Sequence, residues 1–154
     1  MLELFIIRHG EAGAHAVSDE ARELTQRGQQ EVIKNAQAQL SDKHFDYVFV
    51  SPYTRAQQTW QLIQSQGVSS DHTQNVEWVT PDVPTQPALD HLIELKGDDL
   101  SVLIVSHQTF SGRLVTHLCD GHTKGRHLDT ATIAHLKAEV FASQCATLTG
   151  LYSV

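Results

Sequence analysis

At 154 residues, 40% of them apolar and 19% charged, the chain has the length of one domain with a substantial core and the composition of a soluble globular protein. A formal net charge of -7 argues against a nucleic-acid-binding surface, and no apolar run approaches the ~20 residues of a membrane span. Cys119 and Cys145 lack CxxC spacing and read as buried apolar thiols of a reducing compartment rather than a disulfide framework; with no charged leader before a cleavable apolar segment, a cytoplasmic location is expected.

The first element predicted is a strand from Leu2 to Ile7, ending abruptly in Arg8-His9-Gly10-Glu11. This sets a cation and an imidazole at the carboxyl end of a buried strand, with a glycine to turn the chain. Ligands bind at such ends in open α/β sheets. Leu24-Thr25 precedes a helix with Val32, Ile33, Ala36 and Leu40 at helical spacing. Residues 45–50 read as a second strand. Ser51 suits the N-cap and Pro52 the first helical position, so Arg55 falls in the first turn of a helix bearing Tyr53, Ala56, Trp60 and Ile63. A loop over about 67–74 leads to a short strand at 75–79. Pro81, Pro84 and Pro87 break the next connection, and Thr85 can cap a helix with Leu89, Leu92 and Ile93. Residues 101–105 form another apolar run, ending in Ser106-His107-Gln108, before a helix with Phe110, Leu114, Val115 and Leu118 that stops near Gly121. Period-two spacing at Ala134, Leu136, Ala138 and Val140, and again at Leu148, Gly150, Tyr152 and Val154, predicts an antiparallel hairpin. The expected fold is α/β: a three-layer sandwich with a mostly parallel central sheet, helices on both faces and a C-terminal antiparallel hairpin, in one domain over 1–154.

Three strand ends thus deliver Arg8, His9, Arg55 and His107 to one rim. The types suit phosphoryl transfer. The group in flight carries negative charge that the protein must position and stabilise. Arginine meets two phosphate oxygens with a planar fork. An imidazole with a reference pKa of ~6.5 is mostly neutral and nucleophilic near pH 7. Arg8-His9-Gly10, the Ser51-Pro52-x-x-Arg55-Ala56-x-Gln58-Thr59 segment and His107 together resemble the histidine phosphatase superfamily over nearly the whole chain.

That resemblance implies that His9 is phosphorylated and that Arg8, Arg55 and His107 hold the phosphate. The superfamily usually has Gly-His where this chain has Ser106-His107. The small size and open Arg-His-Gly-Glu start are most similar to its bacterial phosphohistidine phosphatases. This implies as substrate a phosphorylated histidine on a phosphotransfer protein, with no cofactor. Connections are too short for a large lid, so an open, shallow site is expected, on a monomer with no membrane or nucleic-acid partner.

Gln108 offers its amide or side chain to phosphate, or merely starts a helix. Glu11 either orients site groups or is solvated. His117, His122 and His127 recur at five-residue intervals, but Gly121 and Gly125 break the register that would bring them together, so no metal is expected. Relatives acting on esters carry an acid between the third strand and the next helix. Asp82 is the candidate there, Glu77 being assigned to the strand. A phosphatase of small esters using Asp82 and a non-catalytic phosphate-binding module are the competing functions.

Overall fold

The computed structural model describes residues 1–154. Six strands form one sheet: β1 (Leu2–Arg8), β2 (His44–Val50), β3 (Ser69–Asn75), β4 (Ser101–Ser106), β5 (Ile133–Ala138) and β6 (Ala146–Tyr152). Their order is β3-β2-β4-β1-β5-β6. The β1–β4, β2–β4 and β2–β3 pairs are parallel; β1–β5 and β5–β6 are antiparallel. Four helices, α1 (Gln26–Gln39), α2 (Thr54–Gln64), α3 (Gln86–Ile93) and α4 (Phe110–Asp120), complete an α/β fold with the predicted hairpin at its end.

The central strands are continuous apolar runs because helices cover both faces. Successive side chains alternate between the faces. Leu4, Ile6, Val102 and Ile104 enter one core with Leu89 and Leu92 of α3 and Phe110 and Leu114 of α4. Phe5, Ile7, Val48, Val50, Leu103 and Val105 enter the other with Val32 and Ala36 of α1 and Trp60 and Ile63 of α2. Each such fully buried side chain contributes about 1.5–3 kcal/mol.

The register places the site. Arg8 lies opposite Ser106 on β4, and Val105 opposite both Ile7 and Val50. The three parallel strands therefore end together, and His9, Ser51 and His107 leave the sheet at one level.

Two sequence expectations are corrected. The stretch read as a loop over 67–74 contains β3, and the predicted strand at 75–79 is instead a 3₁₀ turn at Glu77–Val79. β3 is an edge strand of exposed polar residues, held by backbone pairing to β2. Glu77 thus lies in the connection to α3, so Asp82 is not the only carboxylate there. Secondly, Gly10 was assigned to a turn, yet it has no positive φ. A Cβ there would lie 2.8 Å from the Gly28 carbonyl oxygen and from the Val32 side chain, and one on Gly28 would lie 2.1 Å from the Glu11 carbonyl oxygen. The two glycines let the chain after His9 lie directly against α1.

Candidate active site

His9 follows the last residue of β1 and is 7% exposed. Its Nδ1 lies 2.6 Å from the Gly10 carbonyl oxygen, an acceptor, so Nδ1 carries the proton. Nε2 keeps its lone pair and accepts from Arg55 Nε at 3.2 Å. Buried Thr59 fixes the spacing of the two elements: its hydroxyl accepts from the Gly10 N–H at 3.1 Å and donates to the Arg55 carbonyl at 2.8 Å.

Arg55 sits in the first turn of α2 and is 5% exposed. Its Nη1 donates to the Asp19 carbonyl at 2.7 Å and its Nη2 to the Asp19 carboxylate at 3.3 Å. Arg22 also reaches that carboxylate, at 3.0 Å, and its Nε holds the Gly13 carbonyl at 2.8 Å. The Arg22 hydrogen bond is the largest influence holding the Asp19 carboxyl below its usual range. An open recess of about 480 Å³ beside this pair is lined by Ala14, Ala16, Ser18, Asp19 and Arg22.

Arg8 is anchored by one nitrogen, Nη1, which donates to the Leu128 carbonyl at 2.8 Å; its buried Nε has no partner. Burial lowers its pKa, the Asp129 charge opposes that, and Arg55 adds to it. His107, 1% exposed, has Nε2 2.7 Å from Ser51 Oγ. That oxygen also accepts from the Tyr53 N–H at 3.3 Å and has its own proton to offer His107 Nε2. When the Ser51 hydroxyl donates to Nε2, neutral His107 carries its own proton on Nδ1, which is buried without a partner. Around the neutral His9 imidazole the structure therefore gathers two guanidinium groups and a histidine N–H, with unused donors on Arg8 and His107.

Burial is the main reason both imidazoles stay neutral. It pushes His9 down to about 3 and His107 to about 2; the Gly10 carbonyl opposes the shift at His9, while the Arg55 charge reinforces both. In the unfolded chain each would titrate near ~6.5. Unfolded chains thus bind protons that the folded protein excludes once the pH falls below that value. Stability contributed by these neutral groups is intact above pH 6.5 and declines toward the folded pKa values, by about 2 kcal/mol per histidine between pH 7 and 5. Denaturant unfolding at both pH values should show a larger loss for wild type than for His9→Ala. Equal losses would contradict the neutral burial of His9.

Other sequence candidates are placed differently. Ser51 is not the N-cap: Tyr53 precedes the first residue of α2, and the Ser51 hydroxyl is taken by His107. Thr85 precedes α3 but makes no capping bond; its hydroxyl pairs with His117 Nδ1 at 2.8 Å. The Gln108 side chain is engaged elsewhere. Its Nε2 donates to the Arg126 carbonyl at 2.6 Å and its Oε1 accepts from the Gly112 N–H at 3.1 Å, leaving only its backbone amide for the role first assigned. Glu11 accepts from Thr25 Oγ1 at 2.9 Å and braces the start of α1. Asp82 is exposed, on a connection that Arg113 holds through the Val83 carbonyl at 3.0 Å. No three potential metal ligands converge, His117, His122 and His127 included. Asp19, Arg22 and the Ser51 hydroxyl were missed. The only signal for the first two was a charged pair three residues apart in a segment without periodicity.

Comparison with known proteins agrees with the motifs. Residues 4–76 match the model of the histidine phosphatase superfamily (branch 1). A phosphohistidine phosphatase SixA homolog of Haemophilus influenzae is 34% identical, over 94% of this chain and 96% of that protein. Phosphohistidine phosphatase SixA of Escherichia coli is 32% identical, over 79% of this chain and 77% of its own length. The structure of the protein histidine phosphatase SixA complexed with tungstate superimposes with a TM-score of 0.85 at 29% identity, covering 98% of this chain and 96% of that one. Similarity spanning both the motif-bearing strand ends and the remainder of the chain makes this protein a phosphatase of the histidine phosphatase superfamily.

Proposed function

We propose that the protein is a metal-independent phosphohistidine phosphatase acting on a phosphorylated histidine of a phosphotransfer protein. The observation that supports this most is the fixed tautomer of His9: Nδ1–H is committed to Gly10, so Nε2 presents a lone pair among cations. That lone pair attacks phosphorus in line. The substrate P–N bond breaks, and its electron pair goes to the departing imidazole, which leaves neutral because its other nitrogen already carries a proton. Arg55, the free Arg8 nitrogens and His107 Nδ1–H hold the phosphoryl oxygens, which displace the Asp19 carboxylate from the Arg55 fork. The phosphorylated His9 is a cation whose Nδ1–H still points to Gly10. Water then attacks phosphorus, the P–Nε2 bond returns its pair to His9, and both water protons end on dihydrogen phosphate.

Nothing in this sequence needs an acid for the leaving group, in keeping with the exposed position of Asp82. An alkoxide does need one. The names of the SixA relatives point to the same substrate class, and tungstate is an oxyanion of phosphate-like shape. Turnover of a phosphorylated phosphotransfer domain should exceed that of an alkyl ester such as phosphoserine by about 100-fold or more in kcat/KM, the range a missing general acid sets. Preference for the ester would favour an ester phosphatase using Asp82 or Glu77.

Metal should not matter, because two guanidinium groups and a histidine N–H supply the electrostatic stabilisation that a metal ion provides elsewhere. Activity is expected to be unchanged by dialysis against EDTA. Loss that zinc or magnesium restores would contradict this.

A further inference from the structure

We infer that Tyr53 selects the leaving group: its ring is the platform on which the imidazole of a phosphohistidine substrate stacks while the P–N bond breaks. The inference rests on the phosphohistidine chemistry proposed above and identifies the part of the site that prefers it. Three rings stand in a row. His9 and His107 have centroids 5.0 Å apart at 63°, and Tyr53 lies 4.9 Å beyond His107 at 68°. The two histidines are buried, whereas Tyr53 is partly exposed. Tyr53 is thus the member of the three that solvent reaches. Tyr53 thereby offers an aromatic surface beside the groups that hold the phosphoryl.

Outside its packing on His107 and Arg55, Tyr53 has no structural task. It belongs to neither core cluster, and as the residue before α2 its side chain makes no capping bond. The Arg55 guanidinium carbon lies 5.1 Å from its ring centroid, which couples the platform to the group that grips the phosphoryl.

Charge of both signs surrounds the ring: the Arg55 guanidinium lies over it, and the charges of Glu20 and Asp19 also act on it. The Thr54 N–H donates to the Glu20 carbonyl at 3.0 Å, which brings the 19–20 segment beside Tyr53, and Asp19 is bound to Arg55. Burial, followed by the charges of Glu20 and Asp19, raises the Tyr53 phenol pKa, Arg55 opposes this, and Asp82 adds a smaller push in the same direction. An imidazole protonated on its free nitrogen is a planar cation. It gains from an aromatic face and from nearby carboxylates, and it is also the form that leaves as a neutral ring. A substrate with the same P–N bond but no ring also carries a cation when its nitrogen is protonated to leave, but it has no planar face to stack.

Phosphoramidate is such a substrate, and it supplies the test. Tyr53→Leu keeps bulk and removes the ring; Tyr53→Phe keeps the ring. Turnover of N-phosphohistidine and of phosphoramidate is measured for both, with the inhibition constant of inorganic phosphate as a readout of the phosphoryl pocket. Tyr53→Leu should lose about three- to thirtyfold more kcat/KM on phosphohistidine than on phosphoramidate, the range of a partly desolvated cation–π contact. Tyr53→Phe should keep the wild-type preference. Equal losses on both substrates, with a parallel rise in the phosphate inhibition constant, would assign Tyr53 to the support of His107 and Arg55 and overturn the platform. An undiminished preference in Tyr53→Leu would overturn it as well. Failure of wild type to turn over phosphohistidine at all would instead overturn the proposed function, and this role with it.

Discussion

His9→Ala is expected to abolish turnover while leaving the fold intact. His9 lies just past β1, and the sheet does not depend on its ring: β1 is held by its pairing to β4 and β5 and by Leu4, Phe5, Ile6 and Ile7 in the two cores. What the variant loses is the Nε2 lone pair, and with it the route through a covalent intermediate. Alanine also leaves Arg55 Nε without its acceptor, which does not threaten the guanidinium, since Asp19 still holds its two other nitrogens. Inorganic phosphate binding and thermal unfolding should therefore survive where activity does not. Retained turnover above roughly a thousandth of wild type, a loss of about 4 kcal/mol in barrier terms, would show that another group attacks phosphorus.

Arg55→Lys should be strongly impaired although charge is conserved. Arg55 uses all three of its nitrogens in separate directions: toward His9, the Asp19 carbonyl and the Asp19 carboxylate. An ammonium on a flexible stem is a strongly hydrated point charge and lacks the planar fork that spans two phosphoryl oxygens. Loss of a preorganised contact that tightens in the transition state costs roughly 2–4 kcal/mol, or about 30- to 1,000-fold in rate. Asp82→Asn is the matched control. On phosphohistidine it should change kcat/KM by less than about tenfold, well under the ~10²–10⁴-fold of a lost general acid. Measuring both variants on phosphohistidine and on a phosphate ester separates the roles. A large loss for Asp82→Asn on phosphohistidine, with Arg55→Lys near wild type, would reverse them.

These residues were legible in the sequence because each sits where an apolar run stops. The carboxyl-terminal parts of β1, β2 and β4 are hydrophobic stretches, Leu4–Ile7, Tyr47–Val50 and Val102–Val105, whose ends are easy to see, and parallel pairing in register brings those ends together. The hairpin was legible because Leu136 and Ala138 are buried while Lys137 between them is exposed. β3 escaped notice because an exposed edge strand needs only its backbone, and Ser69–Asn75 carries no apolar alternation. Ser51 was misread because a local rule for helix starts competed with a tertiary partner 56 residues away. Asp19 and Arg22 acquire meaning only when their loop folds back on Arg55, and no spacing rule reports that return.

The most direct test of the account is the chemical nature and position of the phosphoryl group on the enzyme during turnover. Rapid quenching with a labelled phosphohistidine substrate should trap phosphate that is stable to base and labile to acid, and peptide mapping should place it on His9, at Nε2, since Nδ1 is committed to Gly10. The label should be absent from His9→Ala. Label on a serine or an aspartate, or steady turnover with no phosphoenzyme and direct attack by water, would contradict the claim that His9 carries the phosphoryl group.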